Sequence, residues 1–151
     1  MASTFTNLGV ELMATGENAG TWGTKTNANL NLAEQLLGGY LSLAVAGSGS
    51  TNLTIIDGEL TGTAQQRVIE LTGALTGSRI LTFPLLTETF YIIKNGTTGA
   101  ETLQLKAVSG SGATVLFQQL TKDTNLYILM VLQQTPELLI LEWQPLLEHK
   151  L

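Results

Sequence analysis

Phe90-Tyr91-Ile92-Ile93-Lys94-Asn95-Gly96 is a run of aromatic and β-branched residues closed by a strong turn dipeptide. The same grammar recurs on both sides of it. Tyr40-Leu41-Ser42-Leu43-Ala44-Val45 reads as a strand, and Leu53-Thr54-Ile55-Ile56 runs into the turn signal Asp57-Gly58. Val68-Ile69-Glu70-Leu71 alternates before Gly73, and Ile80-Leu81-Thr82-Phe83 stops at Pro84. Leu103-Gln104-Leu105-Lys106-Ala107 alternates cleanly, and Thr114-Val115-Leu116-Phe117 follows a Ser-Gly-Ser-Gly turn. Short strands at steps of about 10–14 residues, divided by glycine turns, predict a mainly β chain of antiparallel sandwich or jelly-roll type. Leu71-Thr72-Gly73 and Leu75-Thr76-Gly77 form a local echo, too short to establish a solenoid.

Ahead of the strands, Thr24 to Leu37 is the one helix candidate, with Thr24 as N-cap and Gly38-Gly39 as the stop. Leu30, Ala33 and Leu37 share a face at i, i+3 and i+7. Asn27, Asn29 and Asn31 are poor helix formers, so this helix depends on packing. Residues 16–23 read as a turn-rich loop carrying Trp22. That ring either plugs the helix start onto a core or anchors the segment in a partner.

Composition divides the chain into three. All sixteen glycines lie between Gly9 and Gly112, and eleven leucines fall between Leu116 and Leu151. The expected parts are an attachment segment, residues 1–45, a β-domain, 46–117, and a Leu-rich tail, 118–151. The run Gly47-Ser48-Gly49-Ser50-Thr51 reads as a flexible connector.

Charge and chemistry narrow the function. The net charge is −5 and only 13% of residues are charged. The seven basic residues are scattered singly, which argues against nucleic acid. The chain has no Cys and a single His, His149, which excludes thiol chemistry and leaves no His-centred catalytic set. Glu59, Glu70, Glu88 and Glu101 offer carboxylates for glycoside hydrolysis, but their spacing selects no pair. Asp57-Gly58-Glu59 lacks the further acidic positions of a calcium loop. No cofactor or metal is expected. The longest apolar run, Leu126 to Leu132, is far shorter than the ~20 residues of a membrane helix, and no membrane partner is expected. Hydrophobic content of 44% with so few charges points to a surface covered by other chains, hence a homo-oligomer.

The block from Leu8 to Val45, with Gly16-Glu17-Asn18, Thr21-Trp22-Gly23 and Thr26-Asn27-Ala28-Asn29-Leu30, resembles the N-terminal part of virion proteins of marine tailed bacteriophages of the tail-fibre type. The β-rich stretch to about residue 115 is similar to that family's continuation. The resemblance implies a non-enzymatic structural component of the virion, assembled in a host bacterial cytoplasm. It further implies a homo-oligomer, expected to be a trimer as phage fibres and decorations commonly are, and other virion proteins of tail or capsid as partners. Trp22, Leu30, Ala33 and Leu37 are the expected attachment residues. Capsid decoration is the alternative within that class, and a carbohydrate-binding module for host-surface glycans the alternative outside it. After about Leu116 the chain departs from the family pattern. A change of reading frame is one explanation, since a shifted back-translation of residues 117–132 can end in Tyr-Ser-Asp-Gly-Ser-Thr, which looks like the family's aromatic-Ser-Asp-Gly-Thr turn. A stop codon early in the shifted frame of the gene would exclude it. The other explanation is a genuine extension, with Leu126 to Leu132 and Leu138 to Trp143 as strands.

Overall fold

The computed structural model describes residues 2–85 and 89–108, and the backbone of three later strands within 115–142. A two-stranded antiparallel pair, β1 (Thr4–Phe5) and β2 (Glu11–Leu12), precedes helix α1 (Trp22–Gly38). Then come β3 (Tyr40–Ala44), β4 (Gly47–Asn52), a 3-10 turn (Thr63–Gln65), the long strand β5 (Val68–Phe83), β6 (Thr89–Thr98) and β7 (Leu103–Ala107). The later strands are β8 (Val115–Phe117), β9 (Leu126–Val131) and β10 (Leu138–Glu142). The chain is mainly β, as its strand grammar predicts.

The central pairings correct the antiparallel expectation. β3, the first half of β5 and β6 run parallel, and so do β4, the second half of β5 and β7. Val68 lies opposite Ile92 and Phe83 opposite Ala107, so one offset of 24 residues holds from end to end of β5. The chain therefore winds as a coil whose successive turns stack in register. A parallel neighbour needs a connection of a dozen or more residues rather than a hairpin. Each circuit supplies that connection by passing through the other set of strands. Only β8, β9 and β10 add antiparallel pairs, β8 on β7 and β9 on β6, with β10 outside β9.

In-register stacking brings like side chains together. Leu41 faces Ile69, which faces Ile93, and Leu81 faces Leu105. Alternate residues of each strand point inward. Ile69, Leu71, Leu81, Phe83, Ile93, Leu103 and Leu105 are buried, and they join Val45, Leu53, Leu75 and Tyr91 in one core fed by both sets of strands. Phe83 and Tyr91 meet with ring centroids 5.0 Å apart, and the Tyr91 hydroxyl donates to the Ala64 carbonyl at 2.9 Å.

Glycine acts at corners within continuous strands, not at hairpin ends. Gly73 has φ +108° and lies inside β5, where a terminator is expected from sequence. Asn95-Gly96 is likewise inside β6, paired with Leu71 and Thr72, and forms no hairpin. Its bend is local: the Asn95 carboxamide oxygen accepts from both the backbone N–H and the hydroxyl of Thr97. The supposed connector at 47–51 belongs to β4, and Leu53–Ile56 lies beyond the strand. Arg79 holds that polar strand by donating to the Ser48 carbonyl at 2.5 Å and to the Thr51 hydroxyl. Gly99, just after β6, is a tight corner, with φ +107° and the Leu75 carbonyl oxygen 2.6 Å from where a Cβ would stand. Gly99→Ala is expected to cost about 1–3 kcal/mol, because the strain meets fixed backbone. Gly16→Ala also has a positive φ but open space, and should cost less. Urea unfolding of the two variants checks the order.

Candidate functional site

The N-terminal segment is fastened to the coil by buried polar groups. Gln65 is fully buried, and its carboxamide NH2 donates to the carbonyls of Leu8 at 3.1 Å and Ile56 at 3.2 Å. Gly9, at φ +83°, lets the backbone pass this side chain: a Cβ there would lie 2.6 Å from Gln65 Nε2. The Gly58 N–H donates to the Gly9 carbonyl at 2.8 Å, so the Asp57-Gly58 turn read from sequence holds the N-terminus in place.

Helix α1 is fastened in turn by Lys25, Asn29 and Leu32, spaced four and three residues apart and so on one side. The Asn29 carboxamide accepts from the Glu11 N–H at 3.0 Å and donates to the Glu11 carbonyl at 2.8 Å, like one rung of a sheet. Lys25 Nζ lies 3.1 Å from a Glu11 carboxylate that is itself buried. The hydrogen bond from Lys25 holds the Glu11 carboxyl below its ordinary range. Leu32 is the one buried residue of the helix. The helix starts at Trp22 with Thr21 as its cap, two residues earlier than Thr24, because Gly20 at φ +82° turns the chain just before it. It ends as expected, with the Gly39 N–H donating to the Gln35 carbonyl at 2.8 Å.

The adjoining side of the helix carries all four expected attachment residues. At 100° per residue, Trp22, Ala33, Leu37 and Leu30 fall within about 80° of arc. Trp22 is 65% exposed, Leu30 62% and Leu37 78%, and Ala33 is exposed too. Trp22 thus does not plug the helix onto the core. Leu12 and Tyr40 are further exposed apolar residues outside the helix. The asparagines of the helix were the available signal for the tether, since a residue unsuited to a helix must be placed for another reason.

The polar groups on the sheet are paired among themselves. Glu70 Oε1 lies 2.8 Å from Lys94 Nζ, one turn of the coil away, and the Tyr40 hydroxyl donates to Glu70 Oε2. The hydrogen bond from Lys94 lowers the Glu70 pKa, and that from Tyr40 lowers it further. Glu70 in turn raises the pKa values of Lys94 and Tyr40. A depressed carboxyl contributes stability above its unfolded pKa and loses it as pH falls through the folded value. Acid is therefore expected to loosen the Glu11 and Glu70 contacts only below about pH 4, near and beneath the reference carboxyl pKa. Glu70→Gln should flatten part of that acid limb in an unfolding-midpoint titration. Glu88 lies outside the described residues. Among the described residues no group of three or more His, Cys, Asp or Glu is placed to hold a metal ion, and no helix is long and apolar enough to cross a membrane. Arg67 is engaged by stacking on the Phe90 ring, 4.0 Å from its centroid, and by donating to the Thr89 hydroxyl at 2.9 Å. At the C-terminal end of the helix, Asn31, Glu34, Gln35, Gly38, Gly39 and Leu60 line an open recess of about 410 Å³. No protein-family model, curated protein or solved structure matches the chain.

Proposed function

We propose that the protein is a non-enzymatic structural component of a bacteriophage virion, a tail fibre or tail-associated protein that attaches to the particle by its N-terminal segment. The observation that carries this reading is the apolar face of α1: Trp22, Leu30, Ala33 and Leu37 stand exposed on a helix whose adjoining side is tied down by Glu11, Lys25 and Asn29. A large exposed aromatic among aliphatic residues has the composition of an interface anchor. The resemblance of residues 8–45 to tail-fibre-type virion proteins supports the same reading. In it, residues 46–117, completed by β3, form the displayed domain, a sandwich-like body with one layer from each set of parallel strands. The chain works as a homo-oligomer, and capsid decoration is the neighbouring role on the same particle.

The test is incorporation of Trp22→Ala into assembled particles. Truncating a central anchor typically costs at least about 2 kcal/mol of binding, roughly a thirtyfold loss of affinity. The variant should fold normally and fail to incorporate. Unchanged incorporation would sink the assignment of Trp22. Binding of the intact chain to glycans, with no binding to virion proteins, would favour host adhesion instead.

A further inference from the structure

The first turn of the coil is also its open end. β3 and β4 pair only with β5 among the described residues, whereas the far end continues into β8 and β9. The Val45 N–H donates to the Thr72 carbonyl at 2.8 Å, and the Gly39 carbonyl accepts from the Val68 N–H at 2.9 Å. Odd-numbered residues of β3 thus face β5. By alternation, Tyr40, Ser42 and Ala44 direct their N–H and C=O groups at the outer edge.

Proteins blunt such edges with charges, prolines or bulges. β4 has a bulge, with Gly47 and Gly49 at φ +86° and +96° and a register shift between them. β3 has none of these devices. No charged residue stands anywhere between Glu34 and Asp57, a span that contains the whole first turn. The protected inner turns, by contrast, carry Arg67, Glu70, Arg79, Lys94 and Lys106. The core is also thinner here: Leu41 and Leu43 pack on it but remain partly exposed.

From this edge we infer that a second copy of the same chain docks on β3, strand to strand and antiparallel, about a two-fold axis through Ser42. That register is self-complementary. Ser42 meets its own copy, and Tyr40 meets Ala44 of the second chain, so each outward N–H and C=O finds a partner. Leu41 then lies beside the second chain's Leu43 and extends the apolar layer across the axis. A chain of net charge −5 repels its own copies, and an uncharged edge is where two of them can approach. A contact of this kind closes on itself, giving a dimer, or a hexamer where a three-fold axis is also present. The inference deepens the homo-oligomer part of the reading above and does not depend on attachment through Trp22.

The experiment is the solution mass of the full-length chain at micromolar concentration, by light scattering, for wild type, Ser42→Pro and Ser42→Lys. Proline removes only an outward N–H and is tolerated at an edge of this kind. Lysine at this exposed position meets its own charge across the axis. The wild type should have an even number of chains, and each variant should halve the mass with the far-ultraviolet circular dichroism unchanged. Should Ser42→Pro fail to fold, Ser42→Lys decides. A wild type that is monomeric or trimeric overturns the inference, as does an assembly whose mass the folded variants leave unchanged. Loss of particle incorporation by Trp22→Ala, with the even-numbered mass intact, separates this edge from the attachment face.

Discussion

Phe83→Ala is expected to lower the unfolding free energy by about 3–5 kcal/mol, the usual cost of removing a buried phenylalanine ring. Phe83 is fully buried at the end of β5, and its ring packs against Tyr91 of the next turn at 5.0 Å. It therefore joins two successive turns as well as filling the core. Its backbone is also used, since the Phe83 carbonyl accepts from the Val108 N–H at 2.9 Å. Small domains have about 5–15 kcal/mol of stability in all, so the variant should sit near the edge of folding. Trp22→Ala removes a larger ring but one that is 65% exposed, and should change stability by no more than about 0.5 kcal/mol. Urea midpoints of the two variants measure the contrast. Equal losses would mean that Trp22 is covered within the folded chain, contrary to the surface described above.

The strands themselves were largely legible. Tyr40–Ala44 and Leu103–Ala107 stand where alternation and β-propensity place them. What alternation does not encode is the partner of each strand, and hence direction. Asn95-Gly96 illustrates the failure: the dipeptide favours a two-residue hairpin in isolation, but here Leu71 and Thr72 supply parallel partners on the neighbouring turn. The 24-residue offset was hidden because inward positions need only be apolar, so Val68 and Ile92, or Leu81 and Leu105, match in character without a repeated motif. Gly47–Asn52 was misread for the opposite reason. It is a strand of Gly, Ser, Thr and Asn, fixed by Arg79 and by the Thr82 hydroxyl donating to the Asn52 carboxamide oxygen at 2.6 Å, contacts with residues about 30 positions away. The grouping of Leu30, Ala33 and Leu37 was legible because they share a helical face in any environment. Which side of the helix is tied down depends on Glu11, which lies outside the helix and is held by Lys25 and Asn29.

Deleting residues 118–151 is expected to turn a soluble chain into an aggregating one. β9 pairs antiparallel with β6 from Thr89 to Lys94, and β10 pairs with β9. Without them the outward N–H and C=O groups of Thr89, Tyr91 and Ile93 lose their partners along a strand of high β-propensity. Such an edge is a template for pairing with any other chain. The sequence of the tail adds a second argument. Leu126, Ile128, Leu129, Val131, Leu138, Leu139, Ile140 and Leu141 fall on the two strands, and each aliphatic side chain gains roughly 1.5–3 kcal/mol from full burial. A segment of this composition is stable in water only when paired and covered, so coil and tail depend on each other. Sedimentation of the freshly made truncated chain, with light scattering on whatever stays in solution, reads the outcome. A truncated chain that remains soluble, with the mass and circular dichroism of residues 1–117 intact, would show that β6 needs no cover, and the gene's shifted frame would then become the better account of how this chain ends.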